Sequence, residues 1–266
     1  MHPIERLRYV ARARGADAES LVRETAGALR GLGLDPSGLV VASRRIVERH
    51  PTCAPLWWLC ARLLTSPDPL ATSQEAVRDL EADRTVDLLA GALPEDATVA
   101  TIGYPDQLGA ALLQRGDVRV LAIEADHLAS SFVQRLERRD IDCELVPTHA
   151  AAIAAAEADV VLIDAEALDG TRVIAPVGSA LLAAVAAVVA TPAWLVAGRG
   201  RRLPAPMLSA MVDRMEAGDP FAAEFEVLPA ASFRSVIGPD GRRPMSPQAT
   251  AAECDLAPEL LRAGLT

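Results

Sequence analysis

The sequence contains no lysine, so every basic residue is arginine or histidine. A lysine Schiff base and a Walker-type phosphate-binding lysine are therefore excluded. Any side chain that binds phosphate as a permanent cation must be arginine, whose planar guanidinium group can form two parallel hydrogen bonds to it. Aromatic residues are also scarce, at 3% of 266 residues, whereas 51% are hydrophobic. The predicted core is aliphatic and fits one large domain or two modest ones.

The sequence also lacks the motifs of metal sites and common nucleophiles. Its cysteines are Cys53, Cys60, Cys143 and Cys254. They form no CxxC pair, and no His or Cys lies beside them at zinc-ligand spacing. His127 and His149 each follow a predicted strand without a metal-like partner, so we expect no metal. No GxSxG is present, and no GxGxxG follows a strand, so we expect no dinucleotide or other cofactor.

The charge balance and the apolar runs limit the classes of partner. The formal net charge is -10, which argues against nucleic acid, and no basic run is interleaved with aromatic residues. The longest apolar run, 180–190, is too short to cross a bilayer. Met1-His2-Pro3 leads into a charged helix without a secretory signal. We expect a cytoplasmic protein with reduced thiols and no membrane contact.

Two regions differ in their hydrophobic periodicity. Helical spacing predicts an N-terminal helical domain over residues 1–93, with helices near 4–10, 20–29, 40–49, 56–64 and 72–89. Trp57 and Trp58 lie in the fourth of these helices. They either pack in the core or in a subunit interface, or they stack on a ligand.

Alternating strands and helices predict a Rossmann-like domain over residues 94–266. Short apolar runs indicate strands at 97–102, 118–123, 141–146, 160–163 and 193–197. Helices between them imply right-handed crossovers and a parallel α/β sheet that is covered on both faces. Residues 225–229 are predicted to form a short strand, 230–237 an extended or helical turn, and 238–241 a tight turn. The chain after residue 244 is predicted to be loosely packed.

In such a sheet, ligands bind where the strands end, so the loops there are the candidate site. Asp164 and Glu166 follow a buried strand. They either act as a general acid and base, or they cap and solvate an acidic loop over 164–170. Gly178 and Ser179 begin a helix whose free N–H groups suit phosphate, although Ser179 can also be a simple N-cap.

A basic loop follows the strand at 193–197. It contains Arg199, Arg201 and Arg202. These side chains either close over a phosphate or form a solvated loop. We expect this loop, the acidic loop and the helix N-terminus to converge at one edge of the sheet.

Two segments together resemble a known family. Residues 123–197, IEADHLASSFVQRLERRDIDCELVPTHAAAIAAAEADVVLIDAEALDGTRVIAPVGSALLAAVAAVVATPAWLVA, and residues 225–244, FEVLPAASFRSVIGPDGRRP, are similar to the C-terminal domain of the eIF2B alpha/beta/delta family. HPTCAPL at 50–56 resembles a helix start of that family. The family includes methylthioribose-1-phosphate isomerase and ribose-1,5-bisphosphate isomerase. The resemblance implies a NagB/RpiA-like fold and a homodimer or larger homo-oligomer.

The resemblance also assigns positions to the isomerase site. The catalytic cysteine of the isomerases falls on Gly103 or Tyr104, and their catalytic aspartate falls on Glu166. The Glu-Ser/Thr-Arg-Pro loop becomes the segment that begins at Glu124 and has no arginine. Ala175-Pro176 stands where an Asn-Lys pair precedes the phosphate-binding glycine, here Gly178.

Two functional hypotheses follow. In the first, the chain keeps the fold and the assembly but lacks the isomerase chemistry, and it binds a phosphorylated sugar, a nucleotide or a protein partner. In the second, it is an active aldose-1-phosphate to ketose-phosphate isomerase that uses Glu166 and Asp164 in a rearranged site.

Overall fold

The structure is a computed structural model that describes residues 18–33, 35–125, 128–215, 219 and 222–262. The predicted helix at 4–10 lies outside these residues. The contacts divide the chain into two compact units. The helical unit comprises the described parts of 1–83, 199–217 and 251–266, and the sheet unit comprises those of 84–198 and 218–250. The predicted domain division at residues 93 and 94 differs from this grouping and stays a prediction.

The helices and strands have the following bounds. The helices are α1 Ala18–Leu32, α2 Pro36–Arg49, α3 Ala54–Thr65, α4 Pro69–Glu81, α5 Thr85–Ala92, α6 Asp106–Arg115, α7 Leu128–Glu137, α8 Ala151–Glu157, α9 Ser179–Val188 and α10 Ala205–Met215. The strands are β1 Thr98–Ile102, β2 Arg119–Ile123, β3 Cys143–Val146, β4 Val160–Asp164, β5 Ala167–Leu168, β6 Arg172–Pro176, β7 Ala193–Val196, β8 Phe225–Pro229, β9 Ser235–Gly238 and β10 Gly241–Pro244. No helix in the described ranges is long and apolar enough to span a membrane.

Helix α3 forms the core of the helical unit, because almost all of its side chains are apolar and buried. Trp57 and Trp58 are 0% and 1% exposed. The Nε1 of Trp57 donates to the Pro51 carbonyl at 3.1 Å, and that of Trp58 to the Glu253 carbonyl at 3.2 Å. Both indoles are therefore buried with their polar atoms satisfied, which confirms the packing interpretation.

The single helix predicted over 72–89 is wrong. The segment forms α4 and α5 instead, separated by a turn at 82–84. Helix α4 begins earlier than predicted because the carboxylate of Asp68 caps it, accepting the Ala71 N–H at 3.0 Å. In the turn, the carboxylate of Asp83 accepts a hydrogen bond from the backbone N–H of Arg199 at 2.8 Å. Helical periodicity does not reveal this contact.

The main sheet of the sheet unit has the strand order β10-β9-β7-β4-β1-β2-β3. The five strands predicted from the alternating pattern pair in parallel, as predicted. Strand β9 extends the parallel sheet beside β7, and β10 returns antiparallel to β9 through the predicted turn. Of the segment predicted as an extended or helical turn, Ala230–Ser232 form a 3-10 helical turn, and the residues of β9 are extended.

Apolar side chains cover both faces of this sheet. Ala100 and Ile102 of β1 point to a cluster that includes Leu182 of α9. Val99 points to the opposite cluster, which includes Leu112 of α6 and Phe132 of α7. Side chains along each strand alternate between the two faces of the sheet and so contribute to two cores, as expected for a parallel sheet that is covered on both faces.

Two further segments differ from their predictions. The region predicted as an acidic loop over 164–170 contains β5, which pairs with β6, and β6 pairs with β8 in a separate three-stranded sheet. The described residues after 244 are not uniformly loosely packed, because Ala249, Ala257 and Leu260 are buried. Short strands of two residues and small buried side chains give too weak a periodic signal to be recognised from sequence.

Candidate functional site

Three loops of the sheet unit meet at the carboxyl ends of the parallel strands. Gly178 precedes α9 with φ 93°, and a Cβ there would lie 2.5 Å from Ile102 Cδ1 and 3.9 Å from Ala125 Cβ. A Cβ on Gly103, where φ is 69°, would lie 4.0 Å from Pro176 Cβ. The loops after β1 and β2 and the start of α9 are therefore in contact, and only glycine fits at position 178.

The N-terminus of α9 already holds a negative charge from within the chain. The backbone N–H of Ala180 donates to Oε1 of Glu226, on β8, at 2.8 Å. Ser179 is fully buried, and its Oγ has no hydrogen-bond partner among the described residues. Helix N-termini attract anions through free N–H groups and the helix dipole, so Glu226 lies where a phosphate oxygen was expected.

The carboxylate of Asp169 also forms its hydrogen bonds within the chain. Its Oδ1 accepts from the N–H and Oγ1 of Thr171 and from the N–H of Arg172, at 2.7, 2.9 and 2.7 Å. Its Oδ2 accepts from Nη2 of Arg172 at 2.8 Å. Burial alone would raise the pKa of Asp169, but these hydrogen bonds outweigh it and the pKa lies below its usual value. Asp169 therefore remains ionised and fixes the turn between β5 and β6.

The two candidate catalytic carboxylates differ in their surroundings. Asp164 is 8% exposed, and its Oδ2 lies 3.4 Å from the N–H of Leu108 in the first turn of α6. Glu166 is half-buried, and its N–H donates to the Ile174 carbonyl at 2.8 Å, which opens the β5–β6 hairpin. Asp164 thus contacts a helix N-terminus, as a capping residue does.

Tyr104, at the position of the expected catalytic thiol, and Glu124, at the start of the expected charged loop, both contact neighbouring parts of the chain. The hydroxyl of Tyr104 accepts from Arg135 at 3.2 Å, and its ring meets Phe132 edge-on with centroids 5.7 Å apart. Glu124 bonds through its backbone, accepting from Thr148 Oγ1 and donating to Val146 at 2.9 Å. Asp126 and His127, the rest of that loop, lie outside the described residues.

In the helical unit, the basic loop encloses a carboxylate. Oε1 of Glu253 accepts from Nη1 of Arg199 at 2.9 Å and from Nη2 of Arg202 at 2.7 Å. Its Oε2 accepts from the N–H of Gly200 at 2.8 Å. The side chain of Glu253 is only 5% exposed. Donors that were expected to bind phosphate thus converge on one internal anion.

The conformation of this loop depends on Gly200. Its φ is 81°, and a Cβ would lie 3.2 Å from Pro55 Cα and 3.3 Å from the Trp58 ring. Arg201 and Arg202 are each 7% exposed, so the interpretation of a solvated loop is wrong. The loop is pressed against the start of α3, and this close approach requires glycine.

Three other cysteines, Cys60, Cys143 and Cys254, have thiols whose surroundings keep them protonated. Burial raises the pKa of Cys60 and of Cys254 to about 12, and burial followed by the nearby Glu137 raises that of Cys143. These thiols are therefore poor proton relays and nucleophiles at neutral pH. The described residues also contain no cluster of three or more His, Cys, Asp or Glu that could hold a metal ion.

Sequence reasoning missed Glu226 and Glu253. Each lies more than forty residues from the donors that it binds, so no local spacing connects them. The pair of Asp169 and Arg172 was accessible from the sequence, because an Asp followed by Gly-Thr-Arg is typical of a turn in which the carboxylate accepts from the following N–H groups.

Comparison with known proteins identifies the fold. No family profile and no curated protein sequence matches the chain. A Pyrococcus horikoshii OT3 translation initiation factor eIF-2B structure matches with a TM-score of 0.73 at 17% identity, over 93% of this chain and 98% of that chain. The eIF2B-beta2-delta2 tetramer of C. thermophilum matches with a TM-score of 0.72 at 11% identity, over 93% and 91%. An eIF-2B delta subunit of A. fulgidus matches with a TM-score of 0.61 at 14% identity, over 98% and 91%. The predicted eIF2B-type resemblance is confirmed at the level of the fold.

The enclosed carboxylate of Glu253 gives a stability prediction. Glu253→Gln should lower the free energy of unfolding by about 3 kcal/mol, because it leaves Arg202 buried without its counter-charge. Chemical denaturation at neutral pH measures the loss. Asp255→Asn removes the same charge at an exposed position nearby and should change stability by less than about 0.5 kcal/mol. Equal effects of the two substitutions would show that Glu253 does not organise the loop.

Proposed function

We propose that this chain is an eIF2B-type protein that works by assembly rather than by sugar-phosphate isomerisation. One observation carries the proposal: internal carboxylates bind the Ala180 N–H at the start of α9 and the side chains of Arg199 and Arg202, where a substrate phosphate was expected. Glu226 occupies the N-terminus of α9 in the sheet unit, and Glu253 occupies the arginine loop in the helical unit. Binding phosphate at either place would first require breaking these contacts.

The residues at the catalytic positions support the same proposal. An isomerase of the resembling family relays a proton through a thiol, whereas position 103 has no side chain and Tyr104 is held against α7 by Arg135 and Phe132. The nearby carboxylates remain, but the partner group for proton transfer is absent from these two positions.

A surface of the sheet unit supports self-association. We define the α9 face by five exposed apolar residues of α8, α9 and β8: Ile153, Leu181, Ala184, Val188 and Val227. Helix α9 has no charged side chain in any direction, and Val188 is 86% exposed. A helix that is apolar all round is normally buried, so its outer face needs a partner.

We assign a second copy of the chain to this face. The face has no charge to select a charged partner, and apolar faces of this kind suit isologous contacts between identical subunits. One structurally similar protein is the tetrameric eIF2B-beta2-delta2 complex, whose subunits assemble with one another. The role that follows is a scaffold or regulatory subunit within a homo-oligomer.

The isomerase alternative retains one favourable observation, the buried carboxylate of Asp164 at the end of β4. Asp164 and Glu166 flank Ala165, and two carboxylates can move a proton between neighbouring carbons of a sugar, one as general base and one as general acid. The absence of a thiol at positions 103 and 104 makes this the second candidate.

An activity assay separates the two candidates. Purified chain incubated with methylthioribose 1-phosphate or ribose 1,5-bisphosphate should form no ketose above the uncatalysed rate, as followed by proton NMR. Turnover on the order of 1 s⁻¹ or faster would contradict the proposal. If that turnover disappeared in Glu166→Gln while Asp159→Asn remained active, the isomerase alternative would be correct.

The assembly proposal predicts the mass of the protein in solution. The 28.0 kDa chain should sediment as a dimer or larger species. Leu181→Glu with Val188→Glu should shift it to monomer, because a charge buried in an apolar interface costs several kcal/mol. Leu70→Glu with Val41→Glu, at exposed sites of the helical unit, should leave the mass unchanged. A monomeric wild-type chain at micromolar concentration would refute the assignment.

A further inference from the structure

The helical unit contains a cleft that the preceding assignments leave unused. It lies between α1 and α4 and has a volume of about 450 Å³. Its lining residues are Arg23, Ala26, Gly27, Arg30, Gln74, Val77 and Arg78. Three of these residues are arginines, in a chain whose net charge is -10.

Helical periodicity explains why these residues share one space. On α1, Arg23, Gly27 and Arg30 follow one another at steps of four and three residues, so they lie along one face. On α4, Gln74 and Arg78 are four residues apart and face the same cleft. The Oγ of Ser73 donates to the Ala26 carbonyl at 3.2 Å and fixes the two helices together there. The small residues Ala26 and Gly27 leave the middle of the cleft open.

The arginines of the cleft are not equally neutralised. Nε of Arg23 lies 3.4 Å from Oε1 of Glu81, and its Nη2 bonds to Glu19. Arg30 and Arg78 make no ion pair with any residue in the described ranges. Guanidinium groups that line one cavity repel one another, and a bound anion would remove that repulsion.

The chemistry of the lining defines the class of ligand. Guanidinium groups match the oxygens of phosphate with paired, charge-assisted hydrogen bonds. The amide of Gln74 can both donate to and accept from hydroxyl groups, and Val77 offers apolar surface. The volume lies within the range of small-molecule sites, about 300–1,000 Å³.

We infer that the cleft between α1 and α4 binds a small organic phosphate monoester, with Arg30 and Arg78 on its phosphate and Gln74 on a hydroxyl-bearing remainder. This site shares no residue with the candidate site at the strand ends or with the arginine loop that encloses Glu253. It adds a ligand to the proposed assembly role, but the binding itself does not depend on that role. The arginines act here as cations for recognition, and no bond of the ligand is made or broken.

Calorimetric titration of the full chain with ribose 5-phosphate and with AMP tests the inference. We expect saturable binding of at least one of them, at one site per chain, and no binding of ribose. Affinity should fall as salt is raised, because the contacts are ionic and exposed to solvent. Absence of binding for both phosphates would overturn the inference. So would inorganic phosphate binding as tightly as ribose 5-phosphate, since the cleft would then select only the ion.

Paired arginine variants locate the site. Arg30→Gln with Arg78→Gln should weaken binding at least about tenfold, the loss expected for charge-assisted contacts. Arg45→Gln with Arg49→Gln removes the same charge from exposed positions on α2 and should leave affinity unchanged. Equal weakening by both pairs, or by neither, would overturn the assignment. Both double variants should sediment with the same mass in solution as the wild-type chain. Failure of this inference is therefore distinguishable from failure of the assembly proposal.

Discussion

The buried carboxylate of Glu253 is the interaction on which the helical unit depends. Its side chain holds Arg199, Gly200 and Arg202, while its backbone accepts from Trp58 and donates to the Arg202 carbonyl. A buried guanidinium group is costly unless a negative charge lies beside it, and Glu253 meets that need for the buried Arg202 while also pairing with the partly exposed Arg199. The same contacts bring three distant segments together: the last part of the chain, the loop after β7 and the central helix α3. This explains why the segment around Glu253 is packed although its sequence suggests a loose tail.

The sheet unit satisfies its charges in the same way. The positive end of α9 meets Glu226, and Asp169 is surrounded by donors from Thr171 and Arg172. Open α/β sheets normally bind their ligands at the carboxyl ends of the strands. Here the groups suited to an anion are bound by the chain itself, and the position of the expected thiol carries glycine or a tyrosine packed on α7. The strand-end edge of the sheet is thus stabilised from within, and the outer face of α9 is apolar and exposed.

Much of the fold follows from local sequence pattern, whereas the site does not. Apolar strands alternating with Ala- and Leu-rich helices predict the parallel sheet, because each strand repeats every two residues and each helix every 3.6. The hydrophobic pattern fails to predict the turn at 82–84, because the helical periodicity continues across it. Asp83 stabilises this turn by a contact to Arg199. The pattern also fails at β5, which is too short to show alternation. Glu226 and Glu253 could not be predicted as anion substitutes, because their donors are distant in sequence and only the tertiary fold brings them together. Gly178 and Gly200 were visible as glycines, but the close approach that requires each of them was not.

The central claim is that Glu226 fills a position at the N-terminus of α9 that would otherwise bind an anion. The amide resonance of Ala180, which donates to Glu226, reports on it directly. In Glu226→Ala, titration with phosphate should move this resonance in a saturable way, because the free N–H groups of the helix become available. In the wild-type chain the same titration should leave it in place. A shift of equal size in both proteins, or a shift in neither, would contradict the claim.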